Sequence, residues 1–65
     1  MILNIGENIK RLRTDAGLTQ RALAYKLQIS IQAVSKWEQS RSYPDITLLP
    51  RIAELFSVSI DKLFE

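Results

Sequence analysis

Apolar residues recur along this chain at helical rather than strand spacing. Ile5, Ile9 and Leu12 stand at i, i+4 and i+7, a stripe that one face of a helix would bury, while Lys10, Arg11 and Arg13 take the other faces. Leu23 and Leu27 form a second stripe, with the small Ala24 where two helices must cross closely, and Val34 and Trp37 form a third. Leu49, Ile52, Ala53 and Phe56 make a fourth, and Ile60 to Phe64 is a short closing one. No segment alternates like a strand, and there are no repeats or low-complexity runs. The pattern predicts five helices around one core, an all-α fold in a single domain spanning residues 1–65.

Cap and turn residues place the ends. Asn4-x-x-Glu7 resembles a capping box at the start of helix 1, and Gly17 suits a left-handed close to it. Leu18 then enters the core, and Thr19 caps a second helix running from about Gln20 to Leu27. Ser30 caps a third, from about Ile31 to Gln39. Gln28 departs from the helix-turn-helix pattern, which often carries glycine at a positive φ just after the second helix, so the turn either tolerates a non-glycine residue there at some cost or relaxes. The polar loop that follows ends at Pro44, with Ile46 expected to anchor it to the core. Pro50 fits only a first turn, so helix 4 is expected to have Thr47 as N-cap and Leu48 as its first residue. Ser59 is expected to cap the last helix, with Asp61 near its start.

The second and third helices, joined by Gln28-Ile29-Ser30, make a helix-turn-helix over about 19–39. With it, the chain resembles the DNA-binding domain of the phage-repressor or Cro-type (xenobiotic-response-element) transcriptional regulators. The resemblance runs from about Ile5 to Phe64. It is carried by IGENIKRLRTDAGLTQ, Ala22-Leu23-Ala24, Ser35 to Glu38, Tyr43-Pro44-Asp45 and the closing IAELFSVSIDKLF, all in order. It implies a compact five-helix, lambda-repressor-like fold.

Composition narrows the chemistry. In 65 residues there is no cysteine and no histidine, so disulfides, thiolate metal sites and imidazole ligands are excluded, and the scattered carboxylates form no catalytic set. No metal, no cofactor and no enzymatic activity are expected. No apolar run is long enough to span a membrane, and Met1-Ile2-Leu3 is short for a signal peptide and has no basic run before it. Net charge is only +2, but its distribution is uneven: Lys10 to Arg41 carries seven basic residues against Asp15 and Glu38, and the remainder is net acidic. One basic end is what phosphate binding requires.

In the resembling family the third helix enters the major groove of double-stranded DNA. Carried over position by position, Ile31, Gln32, Ser35 and Lys36 become the base readers. Their chemistry fits that role, since Gln32 can bond adenine N6 and N7, Lys36 can donate to guanine, and Ile31 can pack on a thymine methyl. Without the motif, Gln32 and Lys36 would be ordinary solvated helix surface. Gln20, at the N-terminus of the second helix, matches a family phosphate contact, and Arg11, Arg21, Gln39, Ser40 and Arg41 are further phosphate candidates. Arg13 and Glu38 match a family ion pair tying helix 1 to helix 3, and Trp37 belongs to the core.

The resemblance implies a sequence-specific transcriptional regulator, a repressor, acting as a homodimer on an inverted repeat in a bacterial or phage-infected cytoplasm, in association with the nucleoid. Phe56, Leu63 and Phe64 are the candidate dimer surface, although a small core needs the same residues. The alternative from another class is a protein-interaction module such as an antitoxin or adaptor domain.

Overall fold

In the computed structural model, which describes residues 4–65, the chain forms four α-helices: α1 (Ile5–Asp15), α2 (Gln20–Leu27), α3 (Ile31–Glu38) and α4 (Leu49–Leu55). A 3-10 turn (Ile46–Leu48) leads into α4 and a second one (Ile60–Phe64) closes the chain. Met1-Ile2-Leu3, considered for a signal segment, lies outside the described residues. The apolar stripes meet in one core of Ile5, Ile9, Leu23, Ala24, Leu27, Val34, Trp37, Ile52, Ala53 and Leu63, each almost wholly buried. Trp37 is therefore core, as its spacing from Val34 predicts. Asn8 is the buried polar residue among these helices: its Nδ2 donates to the Leu63 carbonyl at 3.0 Å, and its Oδ1 accepts from Arg11 Nη2 at 2.9 Å. Both ends of that amide are thus satisfied inside the protein, as a buried amide must be, and the last turn is fastened to α1.

The backbones of α1 and α3 approach closely at Gly6. Gly6 is buried, and a Cβ placed on it would lie 1.8 Å from the carbonyl oxygen of Trp37. Two backbones touch there with no room for any side chain.

Four chain reversals use one hydrogen-bond scheme, in which a residue just past the helix turns left-handed and the next N–H reaches back five residues. At Gly17 (φ 75°) the Leu18 N–H donates to the Arg13 carbonyl at 3.0 Å. At Gln28 (φ 59°) the Ile29 N–H donates to Ala24 at 3.0 Å, so the turn tolerates the non-glycine residue rather than relaxing. Ser40 (φ 58°) and Ser57 (φ 55°) do the same through Arg41 to Lys36 and Val58 to Ala53. An L-residue is strained in this region by about 1–2 kcal/mol. Gln28→Gly relieves that strain at the cost of a freer unfolded chain, so it should stabilise the domain by up to about 1 kcal/mol. A thermal melt checks this, and a lower melting temperature would contradict the left-handed turn.

Several expectations about the ends need correction. Asn4 precedes α1 at φ −99°, ψ 29°, outside the extended geometry of a side-chain cap, and its side chain makes no cap bond. α3 stops at Glu38, with Gln39 as its C-cap. Thr47 is not the cap of α4. Asp45 Oδ1 instead accepts from both the Thr47 N–H and the Thr47 hydroxyl, each at 2.9 Å, which occupies that hydroxyl and starts the 3-10 turn at Ile46. α4 then begins at Leu49, with Pro50 in its first turn where no N–H is needed. The same cap rotates Ile46 outward, leaving it 78% exposed, while Pro44 fills the core side of the loop. The expected fifth helix is a 3-10 turn, and Ser59 makes no side-chain cap to it. Within it Leu63 is fully buried, which removes that residue from any dimer surface, and Phe64 and Ile60 are each 40% exposed.

Candidate nucleic-acid interface

The two helices of the candidate reading unit start at matched caps. Thr19 and Ser30 both hold extended backbone, and their hydroxyl oxygens accept from the Ala22 N–H at 3.0 Å and the Ala33 N–H at 3.1 Å. Each cap satisfies one of the donors that a helix start leaves free. Leu23, Ala24 and Leu27 of α2 pack with Val34 and Trp37 of α3 in the common core. Burial of Val34 and Trp37 fixes the rotation of α3 about its axis. Gln32, Ser35, Lys36 and Gln39, at i, i+3, i+4 and i+7, therefore share its other side. Gln32, Lys36 and Gln39 are exposed and Ser35 is half-buried, with Gln39 Nε2 donating to Ser35 Oγ at 3.1 Å. Ile31, a candidate base reader, is half-buried and packed against the core, so only part of it faces outward.

The phosphate candidates fall into two groups. Arg21, Arg41, Ser40 and Gln39 are exposed, and Ser40 occupies the left-handed position that ends α3. Arg11 and Gln20 are engaged within the protein: Arg11 bonds Asn8, and Gln20, half-buried, donates from Nε2 to Glu38 Oε1 at 3.0 Å. The Gln20 bond has no signature in the sequence, because the two residues are 18 positions apart and neither is unusual at its place.

Arg13 and Glu38 form the ion pair expected of them. Arg13 Nε donates to Glu38 Oε2 at 2.7 Å and Nη2 to Oε1 at 3.1 Å, with side-chain exposures of 12% and 4%. The third guanidinium nitrogen, Nη1, donates to the Leu18 carbonyl at 2.7 Å, which clamps the α1–α2 link to the same group. Burial by itself would raise the Glu38 carboxyl; the bonds from Arg13 and Gln20, with the charges of Arg13 and Lys10, outweigh it and hold the carboxyl below its ordinary range. Glu38 is thus an ionised acceptor with three donors, joining α1, α2 and α3.

Among the described residues no group of histidines, cysteines or carboxylates could hold a metal ion, and no helix is long and apolar enough to cross a membrane.

The chain has relatives among known proteins. The chain is 43% identical over 61 residues to the HTH-type transcriptional activator BcrR of Enterococcus faecalis, covering 94% of this chain and 30% of BcrR. Its fold matches the crystal structure of a transcriptional regulator from Listeria innocua with a TM-score of 0.91 and 31% identity, over 98% of this chain and 60% of that one. It also matches part of the hydroxypropylphosphonic acid epoxidase from S. wedmorenis, with a TM-score of 0.86 and 28% identity, over 97% of this chain and 34% of the epoxidase. The chain therefore spans 30% to 60% of the length of these proteins, and the fold alone does not fix what the whole protein does. The family model for the Helix-turn-helix family HTH_3 matches residues 9–63, from the middle of α1 into the last turn. This chain belongs to the helix-turn-helix family, of the phage-repressor and Cro type.

Proposed function

We propose that this chain is the DNA-binding unit of a sequence-specific transcriptional regulator, with α3 lying in the major groove. The observation that carries the reading is the polar stripe of Gln32, Ser35, Lys36 and Gln39 on a helix whose other side is fixed by buried Val34 and Trp37. A helix so held can present side chains to base edges with no ordering cost of its own at the moment of binding. Gln32 and Lys36 are the hydrogen-bonding readers, Ser35 is a shorter one, and the exposed part of Ile31 suits a thymine methyl. Gln20, Arg11, Arg21, Gln39, Ser40 and Arg41 are proposed to position the domain on phosphates. Arg11 spends only its Nη2 on Asn8, which leaves its other N–H groups for a phosphate.

The regulator acts as a homodimer on an inverted repeat in the cytoplasm. The domain measures 29 × 25 × 22 Å over its Cα atoms. Two such bodies side by side can set their α3 helices about 34 Å apart, one turn of DNA. Phe64 and Ile60, each 40% exposed in the last turn, and the half-buried Phe56 are the apolar surface offered for that contact. Repression by occupancy of the promoter requires nothing beyond binding and is the mode proposed here; BcrR bears the name of an activator, so the operator's position decides the sign. No catalytic role is assigned.

A second reading, a protein-interaction module of the antitoxin or adaptor kind, is favoured by Tyr25 and Ile46, large side chains 83% and 78% exposed. Salt separates the two. If the dimer neutralises six or more phosphates, its affinity for duplex DNA should fall by roughly a thousandfold between 50 and 200 mM salt. A protein partner bound with little change over that range, and no duplex bound at low salt, would favour the module.

A further inference from the structure

Gln20 is the first residue of α2 and Glu38 is the last of α3. The ion pair with Arg13 already gives the Glu38 carboxylate a counter-charge and two donors, and its Oε1 also accepts from Gln20 Nε2 at 3.0 Å. An amide presents a donor at one end and an acceptor at the other, and a free surface glutamine samples both orientations. A carboxylate can only accept, so the NH₂ end of Gln20 must face inward; the flipped amide would set two acceptor oxygens against each other. One Nε2 proton is thereby committed to Glu38, and the direction of the second is fixed.

The start of α2 gives that second proton its use. Thr19 satisfies the Ala22 N–H through its hydroxyl and the Leu23 N–H through its carbonyl. The N–H groups of Gln20 and Arg21 then have no acceptor within the helix. We propose that Glu38 is a positioning residue for DNA binding: it never touches DNA, but by locking the Gln20 amide it holds a side-chain donor beside these two backbone donors for one phosphate. Because the same carboxylate ends α3, it also ties the phosphate contact rigidly to the reading helix. Arg13 has a part in this beyond stability. Without its charge on the carboxylate, an approaching phosphate would meet a second anion one amide away. The inference rests on the DNA-binding reading and deepens it.

The test is a double-mutant cycle on affinity for the duplex enriched from a random library by the unmodified chain. Gln20→Ala is measured once in the natural background and once with Arg13→Met and Glu38→Met together. That pair of changes replaces a buried ion pair by apolar groups of similar length, which proteins often tolerate, and it leaves Gln20 in place without its anchor. Gln20→Ala should weaken binding about tenfold in the natural chain and about threefold or less in the double-methionine chain. An equal loss in both backgrounds overturns the positioning role. The natural chain also gives a reading free of any folding problem: its two Gln20 Nε2 protons should be well separated in NMR shift and slow to exchange. Values like those of a free glutamine would overturn the proposal. If a duplex is enriched but Gln20→Ala costs nothing, the inference fails and the DNA-binding reading stands; if a folded chain enriches no duplex, both fail.

Discussion

Gly6→Ala should lower the melting temperature by about 10–20 °C, or leave the domain unfolded at 37 °C. The new methyl would stand 1.8 Å from the Trp37 carbonyl oxygen and 2.9 Å from its carbon, both backbone atoms of a helix packed into the core. No side-chain rotation can relieve that contact, so α1 or α3 must shift and the core between them must open. Overpacking typically costs 1–3 kcal/mol, and a backbone clash of this depth belongs at or beyond about 3 kcal/mol. Alanine returns at most about 1 kcal/mol in helix propensity. Against a total stability of roughly 3–10 kcal/mol for a chain this size, the loss is a large fraction. Glu7→Ala, one residue away on an exposed position of the same helix, is the control and should shift the melt by no more than a few degrees. A Gly6→Ala variant that melts with the control would mean α1 and α3 do not cross this closely.

Arg13→Ala should destabilise by about 3–5 kcal/mol at neutral pH, because it strands a buried carboxylate. The Leu18 carbonyl loses its donor in the same step. The pH dependence separates the charge effect from lost packing. In the natural chain Glu38 is held below its ordinary value of 4.5, so its contribution is fully present above that pH and is lost as pH falls through the lowered folded value. In the variant the bonds and charge of Arg13 are gone, while burial still opposes ionisation of Glu38. The carboxyl then titrates higher than in the natural chain and protonates earlier as pH falls, which relieves the stranded charge. The stability gap between the two chains should therefore narrow steadily from neutral to acid pH. A gap constant over that range, measured by denaturant titration, would assign the loss to packing alone.

These two residues mark where the sequence was and was not legible. Arg13 and Glu38 are 25 positions apart, and only the family resemblance joined them; nothing local to either residue does. The helical stripes and the burial of Trp37 follow from periodicity within a few residues, so they could be read directly, whereas the left-handed turn at Gln28 was suggested only by the helix-turn-helix motif, which often has glycine there. Gly6 gave no such signal. A glycine inside an amphipathic helix carries only a propensity penalty until the backbone facing it is known. The same holds for Asn8, whose partner Leu63 lies at the far end of the chain, and for the Gln20 bond to Glu38. The loop before α4 was misread for a different reason. Asp45 and Thr47 compete as caps, and one choice of register turns Ile46 out while the other turns it in. Ser40 and Ser57 adopt the left-handed turn without glycine or asparagine, so composition could not announce them.

The central claim is that α3 reads sequence, and selection of binding sites from a random duplex library tests it most directly. The unmodified chain and the Gln32→Ala, Lys36→Ala double variant are carried through the same rounds. Both alanines lie on the exposed face of a helix, so the variant should remain folded. A palindromic motif is expected from the natural chain, with half-sites one DNA turn apart, and the variant should lose the preferred bases within each half-site. An identical motif from both chains, or none from the folded natural chain at low salt, would contradict a reading role for α3.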